Sequence, residues 1–127
     1  VETAIEHGDF QEESGRAGMR ALLETGVDAV LTADSRMTLG AVRVCLEAGI
    51  TPSADLPFVG FDDIAPFALL QPPLPLICQD LEGMATTAVQ LLEAQLRGER
   101  PQTEHRLPAH LRLTPTTTTE AEVRHHD

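Results

Sequence analysis

The sequence predicts an α/β domain with a mostly parallel sheet flanked by helices. Two observations carry this. Short apolar runs of strand length, such as Phe58-Val59-Gly60-Phe61, alternate with longer segments of helical period, the pattern of strands joined by helical crossovers. Glycines stand where those helices should stop, at Gly26, Gly49 and Gly98, as left-handed residues after a helix C-terminus usually are.

Taken in order, Val1–Ile5 reads as a short strand closed by the turn His7-Gly8-Asp9. Residues 12–25, EESGRAGMRALLET, read as a helix with Ala17, Ala21, Leu22 and Leu23 toward one face. Val27–Thr32 is an apolar run of strand length. Asp34 or Ser35 can cap the next helix, Arg36–Ala48, whose apolar positions are Leu39, Val42, Val44 and Leu46. Phe58–Phe61 is the next strand. Gln71-Pro72-Pro73-Leu74-Pro75 is an extended connector in which proline forbids a helix. Leu76–Gln79 is a short strand. Leu81–Arg97 is the most amphipathic helix, with a stripe of Leu81, Met84, Ala85, Ala88, Leu91, Leu92 and Leu96. Glu104–Leu107 and His110–Leu113 read as two last strands, and residues 116–127 as a disordered tail. Such an order predicts a sheet covered on both faces.

Composition narrows the function. A chain of 127 residues with 42% hydrophobic content suits one compact domain or part of a larger one. It opens on Val1 in what reads as mid-strand, so a piece of a longer protein is expected. The net charge is −11, there is no Lys, and the nine Arg are scattered. A nucleic-acid surface needs clustered cations, so this segment is not expected to touch DNA itself, whatever another domain does. Without Lys there is neither a Schiff-base nor a Walker lysine. No apolar run reaches the roughly 18 residues of a membrane span. Cys45 and Cys78 stand far apart and are read as reduced thiols.

The segment PFVGFDDIAPF places Asp62 and Asp63 at the end of an apolar strand. In open parallel sheets, ligands sit beyond the carboxyl ends of the strands. Phe10, Asp34 and Asp62 all follow predicted strands, so these ends offer one aromatic and two acids. Each also has a structural reading: the acids as caps or turn formers, Phe10 as core, Gln79 as a strand-end surface residue. No His has a Ser or Cys partner at catalytic spacing, and no third acid stands near Asp62-Asp63 to complete a hard-metal site. The chain is therefore read as a non-enzyme with no metal and no cofactor.

The segments in sequence resemble the effector-binding core of LacI/GalR-type bacterial transcriptional regulators. The resemblance rests on His7-Gly8-Asp9-Phe10 with Ser14-Gly15, Asp28–Asp34, Met37-Thr38-Leu39-Gly40-Ala41, Glu47-Ala48-Gly49-Ile50, Val59–Ile64, Gln71-Pro72-Pro73-Leu74 and Gln79-Asp80. It spans about residues 1–115. It implies part of a two-lobed, type I periplasmic-binding-protein-like fold. Residues 1–79 would belong to the C-terminal lobe, 80–106 to a segment crossing to the N-terminal lobe, and 107–115 to the return.

By position, the resemblance makes Phe10 the aromatic that stacks on an effector, Asp62 the acid that accepts its hydrogen bonds, and Gln79 a polar neighbour at the lobe crossing. Asp34 falls where the family usually has Asn, which implies an effector that carries either more donors or a positive charge. Leu39, Val42, Leu46, Phe67 and Leu70 would form a dimer face. The implied protein is a cytoplasmic homodimer that senses a small molecule, a carbohydrate by this resemblance, with no membrane partner. It would reach operator DNA only through a headpiece outside this chain. A periplasmic sugar-binding protein of a transport system is the alternative. The pair Leu74-Pro75 and the segment Leu113-Thr114-Pro115 depart from the family pattern.

Overall fold

The computed structural model describes residues 2–113. Its elements are α1 (Glu12–Thr25), β1 (Val30–Leu31), α2 (Ser35–Glu47), β2 (Phe58–Phe61), a 3-10 turn (Ala65–Leu69), β3 (Leu76–Gln79), α3 (Leu81–Leu96) and β4 (Ala109–Arg112). The four strands form one sheet in the order β1-β2-β3-β4. The pairs β1–β2 and β2–β3 are parallel, and β4 runs antiparallel to β3 with Cys78 opposite His110.

The core lies between this sheet and the two helices α1 and α2. Met19, Ala41, Val42, Cys45, Phe58, Phe67, Leu74 and Leu76 are buried there. The face α2 turns inward is Thr38, Ala41, Val42 and Cys45, an i, i+3, i+4, i+7 set. The α1–α2 crossing is unusually close. A Cβ on Gly15 would fall 2.3 Å from the Met37 carbonyl oxygen, and one on Gly40 would fall 2.1 Å from that of Glu12. Glycine at both positions lets the backbones touch, and the pairs Arg16–Glu47 and Arg43–Glu12 flank the contact.

Four expectations are corrected. Residues 2–9 form no strand, because no described strand bonds to them and a strand exists only through its ladder. The run Val27–Thr32 shrinks to Val30–Leu31 for the same reason, since its one pairing is with β2. Only one terminal strand forms, Ala109–Arg112, where β3 offers an open edge. The expected covering of the sheet by all three helices is not what the described residues show: α2 packs on β2 and α1 on α2, whereas α3 makes no comparable contact and leaves Leu81, Val89, Leu92 and Leu96 exposed. Conversely, the proline-rich connector contributes more than a link, because Leu74 and Pro75 are buried. The tail at 116–127 lies outside the described residues.

Candidate functional site at the strand ends

Because β1, β2 and β3 are parallel, their carboxyl ends share one edge. That edge presents Asp34 beyond β1, Asp62 beyond β2 and Gln79 at the end of β3.

Asp62 has a left-handed backbone, φ 55°. A non-glycine residue holds that conformation only when its surroundings enforce it. Here the Asp62 N–H donates to the Ile77 carbonyl at 2.8 Å. Its Oδ1 accepts from the Gln79 N–H at 3.1 Å and its Oδ2 from Gln79 Nε2 at 2.7 Å. The carboxylate is thus clasped by one residue at both oxygens. Each oxygen retains a lone pair, so the group can still accept from a ligand.

Asp34 is the N-cap of α2. Its Oδ1 alone accepts from the Arg36 N–H at 2.8 Å and the Met37 N–H at 2.9 Å. The capping reading therefore holds for Asp34, and Oδ2 is not part of the cap. Asp63 takes no part in this edge. It pairs with Arg112 of β4 at 2.6 Å, and the guanidinium holds its carboxyl below the ordinary 3.8.

Phe10 is 66% exposed, so it is not core. It too is left-handed, φ 61°. Ser14 secures the loop around it: its Oγ accepts from the Asp9 N–H at 3.2 Å and donates to the Gln11 carbonyl at 2.9 Å. The Gln11 N–H closes on Asp9 Oδ1 at 3.1 Å, and the nearby Ser14 hydroxyl, together with this N–H, keeps the Asp9 carboxyl below its usual range. A Cβ on Gly8 would meet the Met37 side chain, so this loop rests on the first turn of α2, next to Asp34.

Sequence reasoning missed Thr38. It is fully buried and bonded both to Asp34 and to the residue before Asp62. Its register with Ala41, Val42 and Cys45 was the available signal; attention to large apolar residues passed over it.

The expected dimer contacts divide. Val42 and Phe67, at 2% and 3% exposed, belong to the core of this chain. Leu39 and Leu70 are partly buried against that core. Leu46 is exposed, as is Leu69 at 85%, and with Leu70 they line a shallow pocket of about 280 Å³ beside Pro52 and Pro72. Both thiols are free. Burial pushes Cys45 up to about 11, which keeps it protonated and inert. Among the described residues no three acids, histidines or cysteines gather as a metal site, and no helix is long and apolar enough to cross a membrane.

A mostly parallel sheet that presents Asp34, Asp62 and Gln79 at its carboxyl edge places polar groups where open α/β sheets take up ligands. Comparison with known proteins shows the family. The periplasmic binding protein-like domain matches residues 1–119, and the chain belongs to that family, in the form found in LacI/GalR-type regulators. It is similar to the HTH-type transcriptional regulator CelR of Thermobifida fusca, 37% identical over 77% of this chain and 29% of that protein. It is also similar to the lactose operon repressor of Escherichia coli, 33% identical over 90% of this chain and 32% of that protein. Among solved structures, the CelR–cellobiose complex superposes with a TM-score of 0.73 at 34% identity, covering 86% of this chain and 34% of that one. The Lac repressor bound to ONPG gives 0.71 at 33% identity, covering 87% and 34%. The chain thus spans less than a third of the length of the curated relatives it matches. Those relatives are named as regulators of transcription, not enzymes.

Proposed function

We propose that this chain is the effector-sensing and dimerisation segment of a LacI/GalR-type transcriptional regulator, with Asp62 at its centre. The observation that carries this is the Asp62 carboxylate, held in a left-handed backbone and oriented by two hydrogen bonds from Gln79 at the carboxyl edge of the sheet. An ionised carboxylate only accepts, and can accept twice, which suits a polyol. Asp34 adds a second acceptor and Phe10 an apolar face for a sugar ring. The effector class is therefore a donor-rich carbohydrate, consistent with the cellobiose named for the CelR complex. Gln79 acts chiefly by orienting Asp62.

The regulators among the relatives favour this reading over a transport receptor. Effector binding shifts the population of lobe arrangements and so the affinity for operator DNA, which a headpiece outside this segment would contact; the protein would act in the cytoplasm. A homodimer would form through Leu46, Leu69 and Leu70, with Leu39 at the margin. The test uses the full-length protein. Genomic DNA fragments retained on it should be enriched in one sequence, and one neutral saccharide should change that retention. Absence of any sequence enrichment would count against a regulator. Leu69→Glu should give monomers by light scattering, and an unaltered dimer would remove this face from the interface.

A further inference from the structure

Asp34 and Asp62 stand on different elements, and something must set the distance between them. Among the described residues Thr38 is the one fully buried polar side chain, 0% exposed. Its Oγ1 donates to the Asp34 carbonyl at 2.6 Å and accepts from the Phe61 N–H at 3.2 Å. The Thr32 hydroxyl lies 2.6 Å away. A hydroxyl has one proton and two lone pairs. With its proton on Asp34, Thr38 accepts from Thr32, whose proton takes this short contact over the 3.4 Å one to the Val59 carbonyl, and the one donor and two acceptor positions of Thr38 are all used.

The Phe61 bond is the informative one. Gly60 and Asp62 send their N–H groups to β3, at the carbonyls of Pro75 and Ile77. The Phe61 N–H therefore points to the β1 side. There the last ladder bond runs from the Thr32 N–H to the Val59 carbonyl. Beyond it β1 has ended, and the Thr38 hydroxyl stands where a strand carbonyl would otherwise accept. Its methyl group sits over Gly60, where a Cβ would come within 2.6 Å of it. One side chain of α2 thus extends the pairing of β2 by one residue, up to the position before Asp62.

Resting on the effector-site reading above, we propose that the Thr38 hydroxyl is a positioning group that fixes Asp62 relative to Asp34. It touches no ligand. It ties the α2 N-terminus, where Asp34 is the cap, to the end of β2, where the Asp62–Gln79 clasp begins.

The test is hydrogen exchange resolved to single amides in the full-length protein, comparing Thr38→Val with Thr38→Ser. Valine keeps the shape and removes the hydroxyl; serine keeps the hydroxyl and removes the methyl. Thr38→Val should raise exchange at the Phe61 and Gln79 amides by about tenfold relative to Val44 and Cys45 of α2, and Thr38→Ser should restore their ratio to that of the natural protein. Thr38→Ala serves if the valine variant does not fold. An unchanged ratio in the variants lacking the hydroxyl, or a rise shared equally by α2 and β2, would overturn the proposal. The outcome does not depend on any sugar: a protein that ignores saccharides but shows this exchange pattern would lose the effector reading and keep the positioning role.

Discussion

The α1–α2–sheet block and the helix α3 present opposite relations between pattern and packing. In the block, the two helices of lower apolar content meet at backbone contact through Gly15 and Gly40, and bury Met19, Ala41 and Cys45. Helix α3, expected to be the most amphipathic, is instead the most apolar of the three helices, with its apolar residues less sharply segregated than those of α1 and α2, yet Ala94 is its one buried residue. An apolar stripe records that a surface is meant to be covered, not that the cover lies within the segment at hand. The expectation that residues 80–106 cross to another lobe fits this contrast, and we propose that the stripe is covered there.

The contrast can be broken most severely at its tightest point. Gly40→Val should destabilise the folded block by about 3 kcal/mol or more, because a backbone oxygen cannot yield as a side-chain tip can. Thermal unfolding would show the loss. Leu76→Ala, in the fully buried centre of the sheet, should cost about 2–5 kcal/mol by denaturant titration. Thr38→Val should cost about 1–3 kcal/mol, since it strands the Phe61 N–H.

Helix α3 sharpens the contrast from the other side. In the 127-residue chain its amides should exchange quickly, while those of α2 stay protected. In the full-length protein α3 should gain protection, if its stripe is covered there. The smallest effect is expected at the exposed Asp63–Arg112 pair, worth no more than about 1 kcal/mol after solvent screening. Its sign is fixed. Arg112 lowers the Asp63 carboxyl in the folded state, so the stabilisation is present above the ordinary value of 3.8 and is lost as pH falls through the lower folded value. Acid titration of β4 amide protection would show this, and Arg112→Gln should remove it.

Much of the fold was legible because its signals were local. Helices α1, α2 and α3 and the strands Phe58–Phe61 and Leu76–Gln79 are bounded by glycines, prolines and caps that act within a few residues. What failed depended on distant partners. The segment 2–9 has strand-like character and no ladder, and the resemblance set Val42 on a dimer face although it belongs to the buried Thr38, Ala41, Val42, Cys45 face of α2. At the site, the strand-end rule selected Phe10, Asp34 and Asp62, with Gln79 added by the resemblance. It could not show that Gln79 is spent on orienting Asp62, or that Thr38 links the two acids. Those are facts of three-dimensional hydrogen bonding between elements 17 to 23 residues apart.

The most direct test of the central claim is calorimetric titration of the full-length protein and its Asp62→Ala variant with a panel of neutral mono- and disaccharides that includes cellobiose. At least one sugar should bind the natural protein, and that binding should fall by a hundredfold or more in the variant, about the cost of stranding a ligand's donors against a lost carboxylate. Equal binding by both proteins, or binding by neither, would contradict an effector site built on Asp62.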